Sequence, residues 1–168
     1  DYLAFLAKDV TMRWAIAGNH VDFLRLIQAM DTTPLPNYAF RNTGDLTFSN
    51  ESAAWGVNTP SFSNGAAYGD LDGDGALDLV VNNIDQEAFI YRNNARALRQ
   101  NHYLQVRLEG HGPNRFGVGA RVTLRSGPHM FFQELQPSRG FQSSVDYVLT
   151  FGIGKVDTVE SVTVDWPD

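Results

Sequence analysis

The stretch "SNGAAYGDLDGDGALDLVVNN", residues 63–83, decides how this chain folds. Two β-like runs, "SNGAAYG" and "LDLVVNN", flank the sequence "DLDGDGALD", residues 70–78, which we call the acidic loop. Its four carboxylates crowd into nine residues and repel one another. A folded domain has only about 5 to 15 kcal/mol of net stability to set against such repulsion. A doubly charged cation would offset it.

The spacing of the acids in this loop is the spacing that calcium needs. Calcium takes six to eight oxygen ligands at about 2.3 to 2.6 Å, and tight loops supply them from positions 1, 3, 5 and 9 and from the backbone carbonyl at position 7. Gly75 follows the third acid, where the chain must turn sharply. Magnesium prefers a smaller octahedral site with more waters and is the weaker candidate. The predicted ligands are Asp70, Asp72, Asp74, the carbonyl of Ala76, and Asp78.

The acidic loop has two other possible interpretations, an EF-hand and a solvated acidic turn. An EF-hand requires a bidentate Glu at position 12, but Val81 stands there, and strand-like runs replace the flanking helices. A solvated acidic turn remains an alternative, because Asp and Gly are both favoured in turns. Such a turn sets no period on its acids, so the regular spacing favours metal binding.

The texture of the chain changes twice along its length. Residues 1–36 carry apolar residues at helical spacing, which predicts a helical segment or insertion. Residues 37–97 consist of short β-like runs separated by Gly, Asn and Asp, ending in the polar joint "ARALRQN". Residues 98–168 show five or six runs with period-2 alternation, which predicts a small antiparallel β-sandwich or barrel. The fold class is therefore mainly β.

Composition narrows the possible partners. Of the 168 residues 43% are hydrophobic, enough for a core, and the net charge of −6 argues against nucleic-acid binding. The absence of cysteine excludes disulfides and thiolate metal sites, and no apolar run reaches the roughly 20 residues of a membrane span. The first residue is not Met, so we expect a piece of a longer protein.

Several motifs together resemble a known family. Residues 63–83 followed by "AFIYRNN" resemble an FG-GAP or VCBS repeat, the calcium-loop blade of integrin-type β-propellers. "NRFGVGARVTL", "RGFQSS", "LTFGIG" and "VTVDWPD" resemble the ASPIC/UnbV domain that follows such propellers in secreted and surface proteins. The resemblance implies partial propeller blades over residues 37–97, an ASPIC/UnbV-like domain over residues 98–168, and calcium bound by the loop.

These observations lead to two main functional hypotheses. The first is a calcium-binding, non-catalytic module of a larger secreted or cell-surface protein, used in adhesion or in binding a protein or glycan. The second is part of a surface enzyme, a glycan or phosphoester hydrolase or lyase, with catalytic residues mostly outside this chain. Asp146, Glu134 and Asp157 could serve as its acid or base, but no spacing singles them out. A structural subunit of a surface assembly is a third possibility. We expect an extracellular, outer-surface or periplasmic location, where calcium saturates weak sites.

Overall fold

The structure is a computed structural model that describes residues 32–167. The helices predicted before residue 31 lie outside the described residues. Residues 35–168 form one compact unit. Twelve strands and one short helix, α1 (Ala95–Arg99), make up its regular structure, and the predicted mainly β class is confirmed. The strands are β1 (Leu35–Pro36), β2 (Phe40–Asn42), β3 (Phe48–Asn50), β4 (Pro60–Ser61), β5 (Ser63–Gly69), β6 (Asp78–Asn83), β7 (Phe89–Tyr91), β8 (His102–Arg107), β9 (Arg121–Ser126), β10 (His129–Glu134), β11 (Val148–Gly154) and β12 (Ser161–Asp165).

Strands β5, β6 and β7 form an antiparallel sheet in that order, which we call the central sheet. The register pairs Tyr68 with Leu79 and Gly69 with Asp78, so the acidic loop closes the β5–β6 hairpin. On the other side of β6, Leu79 pairs with Tyr91. The sequence "LDLVVNN" thus forms the middle strand, as its β-branched and apolar residues favour.

Strands β8 to β12 form the C-terminal sandwich. One sheet has the order β10–β9–β12, the other pairs β11 with β8, and all of these pairings are antiparallel. Alternate residues of β9 and β11 point inward, as the period-2 pattern predicts. Of the two architectures predicted, the described strands form the sandwich and no closed barrel. Its buried core consists of Leu108, Ala120, Val122, Leu124, Leu135, Leu149, Phe151 and Ile153.

Three features of the fold escaped the sequence analysis. Leu35–Pro36 and Pro60–Ser61 pair as a two-residue ladder, too short to give a period. The joint "ARALRQN" contains α1, which ends at Gln100 in a left-handed conformation. The β2–β3 hairpin closes through the turn 43–47, in which Leu46 has a positive φ of 66°.

Candidate metal centre

The backbone of the acidic loop depends on two glycines. Gly73 has a φ of 74° and Gly75 a φ of 87°, both in the left-handed region where a side chain is strained. These two turns fold the loop back on itself between Gly69 and Asp78. Several backbone N–H groups consequently point inward at carboxylate oxygens.

Three of the predicted ligands converge in space. Asp70, Asp72 and Asp74 each offer a carboxylate oxygen, and these oxygens lie within 4.8 Å of one another. Two like charges at such a separation repel by about 3 kcal/mol at the effective dielectric of about 20 that suits near-surface pairs. Asp72 is exposed while Asp70 and Asp74 are half-buried, so solvent screens only part of this repulsion.

Protein donors satisfy part of the cluster. The N–H groups of Gly75, Asp74 and Ala76 donate to Asp70 Oδ2 (3.0 Å), Asp72 Oδ1 (3.3 Å) and Asp74 Oδ1 (2.8 Å), respectively. Arg92 Nη2 lies 2.7 Å from Asp72 Oδ2 and brings one positive charge to the rim. The loop therefore still carries an excess of negative charge.

One buried oxygen of the cluster has no such donor among the described residues. Asp70 Oδ1 is buried and accepts no hydrogen bond from any residue in the described range 32–167. Leaving a buried carboxylate oxygen without a partner is costly, and such groups call for a specific explanation. An ion held by oxygens supplies one, since the orphaned atom belongs to a cluster made only of the hard ligands that calcium prefers. The residues present therefore fit a calcium ion.

The remaining acid of the motif, Asp78, is placed differently. Its side chain is 4% exposed, and both oxygens accept backbone hydrogen bonds: Oδ2 from the N–H of Leu71 (3.1 Å) and Oδ1 from that of Asn93 (2.8 Å). It does not belong to the converging group of three carboxylates. Asp78 thus ties the start of the loop to the chain that leaves β7.

Three residues at this site received no role in the sequence analysis. Arg92 pairs with Asp72, and the Asn93 side chain donates to the Leu77 carbonyl at 3.1 Å. Gln105 of β8 donates through Nε2 to Asp70 Oδ2 at 3.3 Å. Arg92 and Asn93 stand directly after β7 and so could have been suspected as neighbours of a loop in the same sheet. Gln105 lies 35 residues from Asp70, and no local signal marks it.

Comparison with known protein families finds a match in each of two parts of the chain. Residues 20–81 match the FG-GAP-like repeat, which includes the acidic loop, and residues 110–168 match the family described as ASPIC and UnbV. The chain thus matches an FG-GAP-like repeat followed by the ASPIC and UnbV family, and the resemblance found in its motifs is confirmed.

The chain is also similar to individual curated proteins. The chain is 34% identical over 113 residues to cartilage acidic protein 1 of Homo sapiens and 33% identical to that of Mus musculus. Each match covers 62% of this chain but only 16% of the relative. The chain therefore spans a small part of the length of these relatives.

The described residues contain no helix that is long and apolar enough to cross a membrane.

Proposed function

We propose that this chain is a calcium-binding, non-catalytic module of a larger secreted or cell-surface protein, used in adhesion or in binding a protein or glycan. In this proposal residues 37–97 form propeller-type blades and residues 98–168 an ASPIC/UnbV-like domain. The orphaned oxygen Asp70 Oδ1, buried among three converging carboxylates, is the observation that carries the calcium assignment.

In this account Asp70, Asp72 and Asp74 hold the ion, and the Ala76 carbonyl and water complete its shell. The calcium neutralises the loop and fixes its conformation. Because the converging ligands exist only in the folded chain, binding adds to folding stability. Asp78 has both oxygens engaged by N–H groups, so its part as a direct ligand stays a prediction.

The role as a module of a larger protein is supported by exposed apolar side chains outside the C-terminal sandwich. Phe40 and Phe48 of the β2–β3 hairpin and Ile90 of β7 are 59%, 63% and 70% exposed. Exposed apolar side chains favour contact with another protein surface. Matches that cover only 16% of the relatives agree with a module in a longer chain.

The proposed extracellular or cell-surface location follows from the supply of calcium. Sites in extracellular modules work at dissociation constants of about 10⁻⁴ to 10⁻³ M, which cytosolic calcium leaves empty. The similarity to cartilage acidic protein 1 and the FG-GAP-like repeat support the same location.

Thermal unfolding of the 168-residue chain tests the calcium assignment. At a calcium concentration about 100 times the dissociation constant, binding adds about 2.7 kcal/mol. That gain raises the Tm by roughly 5 to 11 °C over the value in excess chelator. A variant with Asp70→Asn, Asp72→Asn and Asp74→Asn should lose the shift, whereas Asp85→Asn, which removes an acid from the β6–β7 turn, should keep it. Equal Tm values for the native chain in both buffers would refute calcium binding.

The binding role needs its own test. Immobilised extracellular matrix proteins and a glycan array should retain the chain in calcium and release it in chelator. Turnover of glycan or phosphoester substrates without such retention would instead favour the enzymatic hypothesis.

A further inference from the structure

The acidic loop rests on the C-terminal sandwich, and the contact reaches a carboxylate of the candidate metal centre. Gln105 Nε2 of β8 donates to Asp70 Oδ2, the oxygen beside the orphaned Asp70 Oδ1. Asp70 Oδ2 also accepts from the N–H of Gly75. These two donors hold one oxygen of the carboxylate in place and leave the other free for an ion.

A second contact brings the loop backbone against the same strand. A methyl group added at Gly75 would lie 2.1 to 2.3 Å from the ring carbons of Tyr103, so the ring packs directly on the glycine. The Arg96 guanidinium of α1 covers the Tyr103 ring at 5.3 Å from its centre, a cation–π arrangement. Tyr103 and Gln105 are two residues apart on β8 and therefore face the same side of the strand.

Residues 92–101, which we call the connector, join the central sheet to the C-terminal sandwich and make hydrogen bonds in the same region. Asp78 accepts from the N–H of Asn93, and Asn93 Oδ1 accepts from the N–H of Ala95 at the start of α1. Beyond α1, Lys155 Nζ donates to the carbonyls of Arg99 (2.7 Å) and Gln100 (3.0 Å). These hydrogen bonds thus link the acidic loop, the connector and the C-terminal sandwich.

We propose that Gln105 is a positioning residue for the metal centre, through which the C-terminal sandwich sets the calcium affinity of the loop. This inference rests on the calcium binding proposed above. Partners of ligating carboxylates typically change metal affinity 10- to 100-fold when they are removed. Because coupling between two equilibria is reciprocal, calcium in turn strengthens docking of the loop on the sandwich by the same factor.

The test compares two identical chemical changes. Gln105→Leu removes the donor to Asp70, while Gln136→Leu removes an exposed glutamine that makes no hydrogen bond within the part of the chain described. Calcium titration by calorimetry on the 168-residue chain should give a dissociation constant 10- to 100-fold higher for Gln105→Leu and unchanged for Gln136→Leu. Gln105→Met, which keeps the length of the side chain, should behave like Gln105→Leu and replaces it if that variant does not fold.

Limited proteolysis within residues 92–101 provides a second readout. Calcium should protect this connector in the native chain and in Gln136→Leu, and the protection should fall in Gln105→Leu at equal calcium occupancy. In chelator all three proteins should be cut at similar rates, which a merely structural role of Gln105 would not give.

The outcomes separate the inference from the proposed function. If the native chain binds calcium and Gln105→Leu binds it equally well, Gln105 has no positioning role while the calcium site stands. If the native chain binds no calcium, the proposed calcium site fails, and the coupling fails with it.

Discussion

Two turns of this chain combine acidic and glycine residues, and the surroundings of their carboxylates differ. In the β2–β3 turn, the single carboxylate of Asp45 accepts from the hydroxyls of Thr43 (2.5 Å) and Thr47 (2.6 Å) and from the N–H of Thr47 (3.3 Å). In the acidic loop, three carboxylates converge and Asp70 Oδ1 has no donor among residues 32–167.

The comparison shows how many carboxylates the hydrogen-bond donors of a short turn can stabilise. Hydrogen bonds from Thr43 and then Thr47 lower the pKa of Asp45 to about 2, so its charged form is stabilised by the turn alone. The acidic loop has one donor for most of its oxygens, and a single arginine at its rim. The β2–β3 turn therefore satisfies its single acid without an ion, whereas our proposal assigns a cation to the acidic loop.

Replacing Asp78 should have the largest effect on stability. It distinguishes Asp78, which accepts backbone N–H groups, from the three converging carboxylates of the acidic loop. Asp78→Ala removes the charged acceptor of two part-buried hydrogen bonds from the N–H groups of Leu71 and Asn93, and each hydrogen bond to a charged group contributes about 1.5 to 3 kcal/mol. We expect chemical denaturation to show a loss of about 2 to 5 kcal/mol, equal in chelator and in calcium. Asp146→Ala, which removes an exposed acid with one long backbone bond, is the control. A loss confined to calcium buffer would make Asp78 a ligand rather than a brace.

The two glycines of the acidic loop should differ when each becomes alanine. Both substitutions strain a positive φ, at a cost of about 1 kcal/mol, but only Gly75→Ala also collides with the Tyr103 ring. Gly73 has open space around it. We expect denaturation in chelator to show a loss of about 2 to 3 kcal/mol for Gly75→Ala and about 1 kcal/mol for Gly73→Ala. Equal losses would show that the loop does not rest on β8.

Removing Arg92 should raise the calcium affinity of the acidic loop, because the loop then holds more uncompensated negative charge. Arg92→Leu deletes the cation that pairs with Asp72 and competes with a metal for the same charge. Because the pair is largely exposed, it is worth less than about 1 kcal/mol, which corresponds to a two- to fivefold gain in calcium affinity. Calorimetric titration should show this gain, while Arg115→Leu, a distant exposed arginine, should leave the affinity unchanged. A loss of affinity in Arg92→Leu would contradict competition.

The smallest effect concerns the pH dependence of the β2–β3 turn. The pKa of Asp45 lies below its ordinary value of 3.8, so the turn gains stability above about pH 4 and loses it as the pH falls towards 2. NMR titration of the Asp45 carboxyl should give a midpoint of about 2, and Thr43→Val should move it towards 3.8. A midpoint already near 3.8 in the native chain would remove one side of the comparison.

Local periodicity carried much of the fold. The alternation in β9 and β11 identified their inward faces because Val122, Leu124, Leu149 and Phe151 must bury apolar surface. Strand β6 was predictable from its β-branched and apolar residues. The pairing of β1 with β4 was not, since it joins two-residue segments about 25 residues apart that carry no period.

For the candidate metal centre too, local spacing predicted some features and tertiary packing determined others. The spacing of Asp70, Asp72 and Asp74 predicted their convergence because they share one short loop. The same spacing predicts Asp78 as a ligand, which stays a prediction, and it did not indicate that Asp78 accepts the N–H groups of Leu71 and Asn93. Gln105 reaches Asp70 through the packing of the sandwich, which no local pattern encodes.

Calorimetric titration with calcium tests directly whether Asp70, Asp72 and Asp74 bind the ion. The proteins compared are the native 168-residue chain, the triple variant Asp70→Asn, Asp72→Asn, Asp74→Asn, and the control Asp45→Asn. We predict that the native chain and Asp45→Asn bind one ion per chain with the same affinity and that the triple variant binds none. Absence of binding by the native chain at millimolar calcium, or equal binding by the triple variant, would contradict the account.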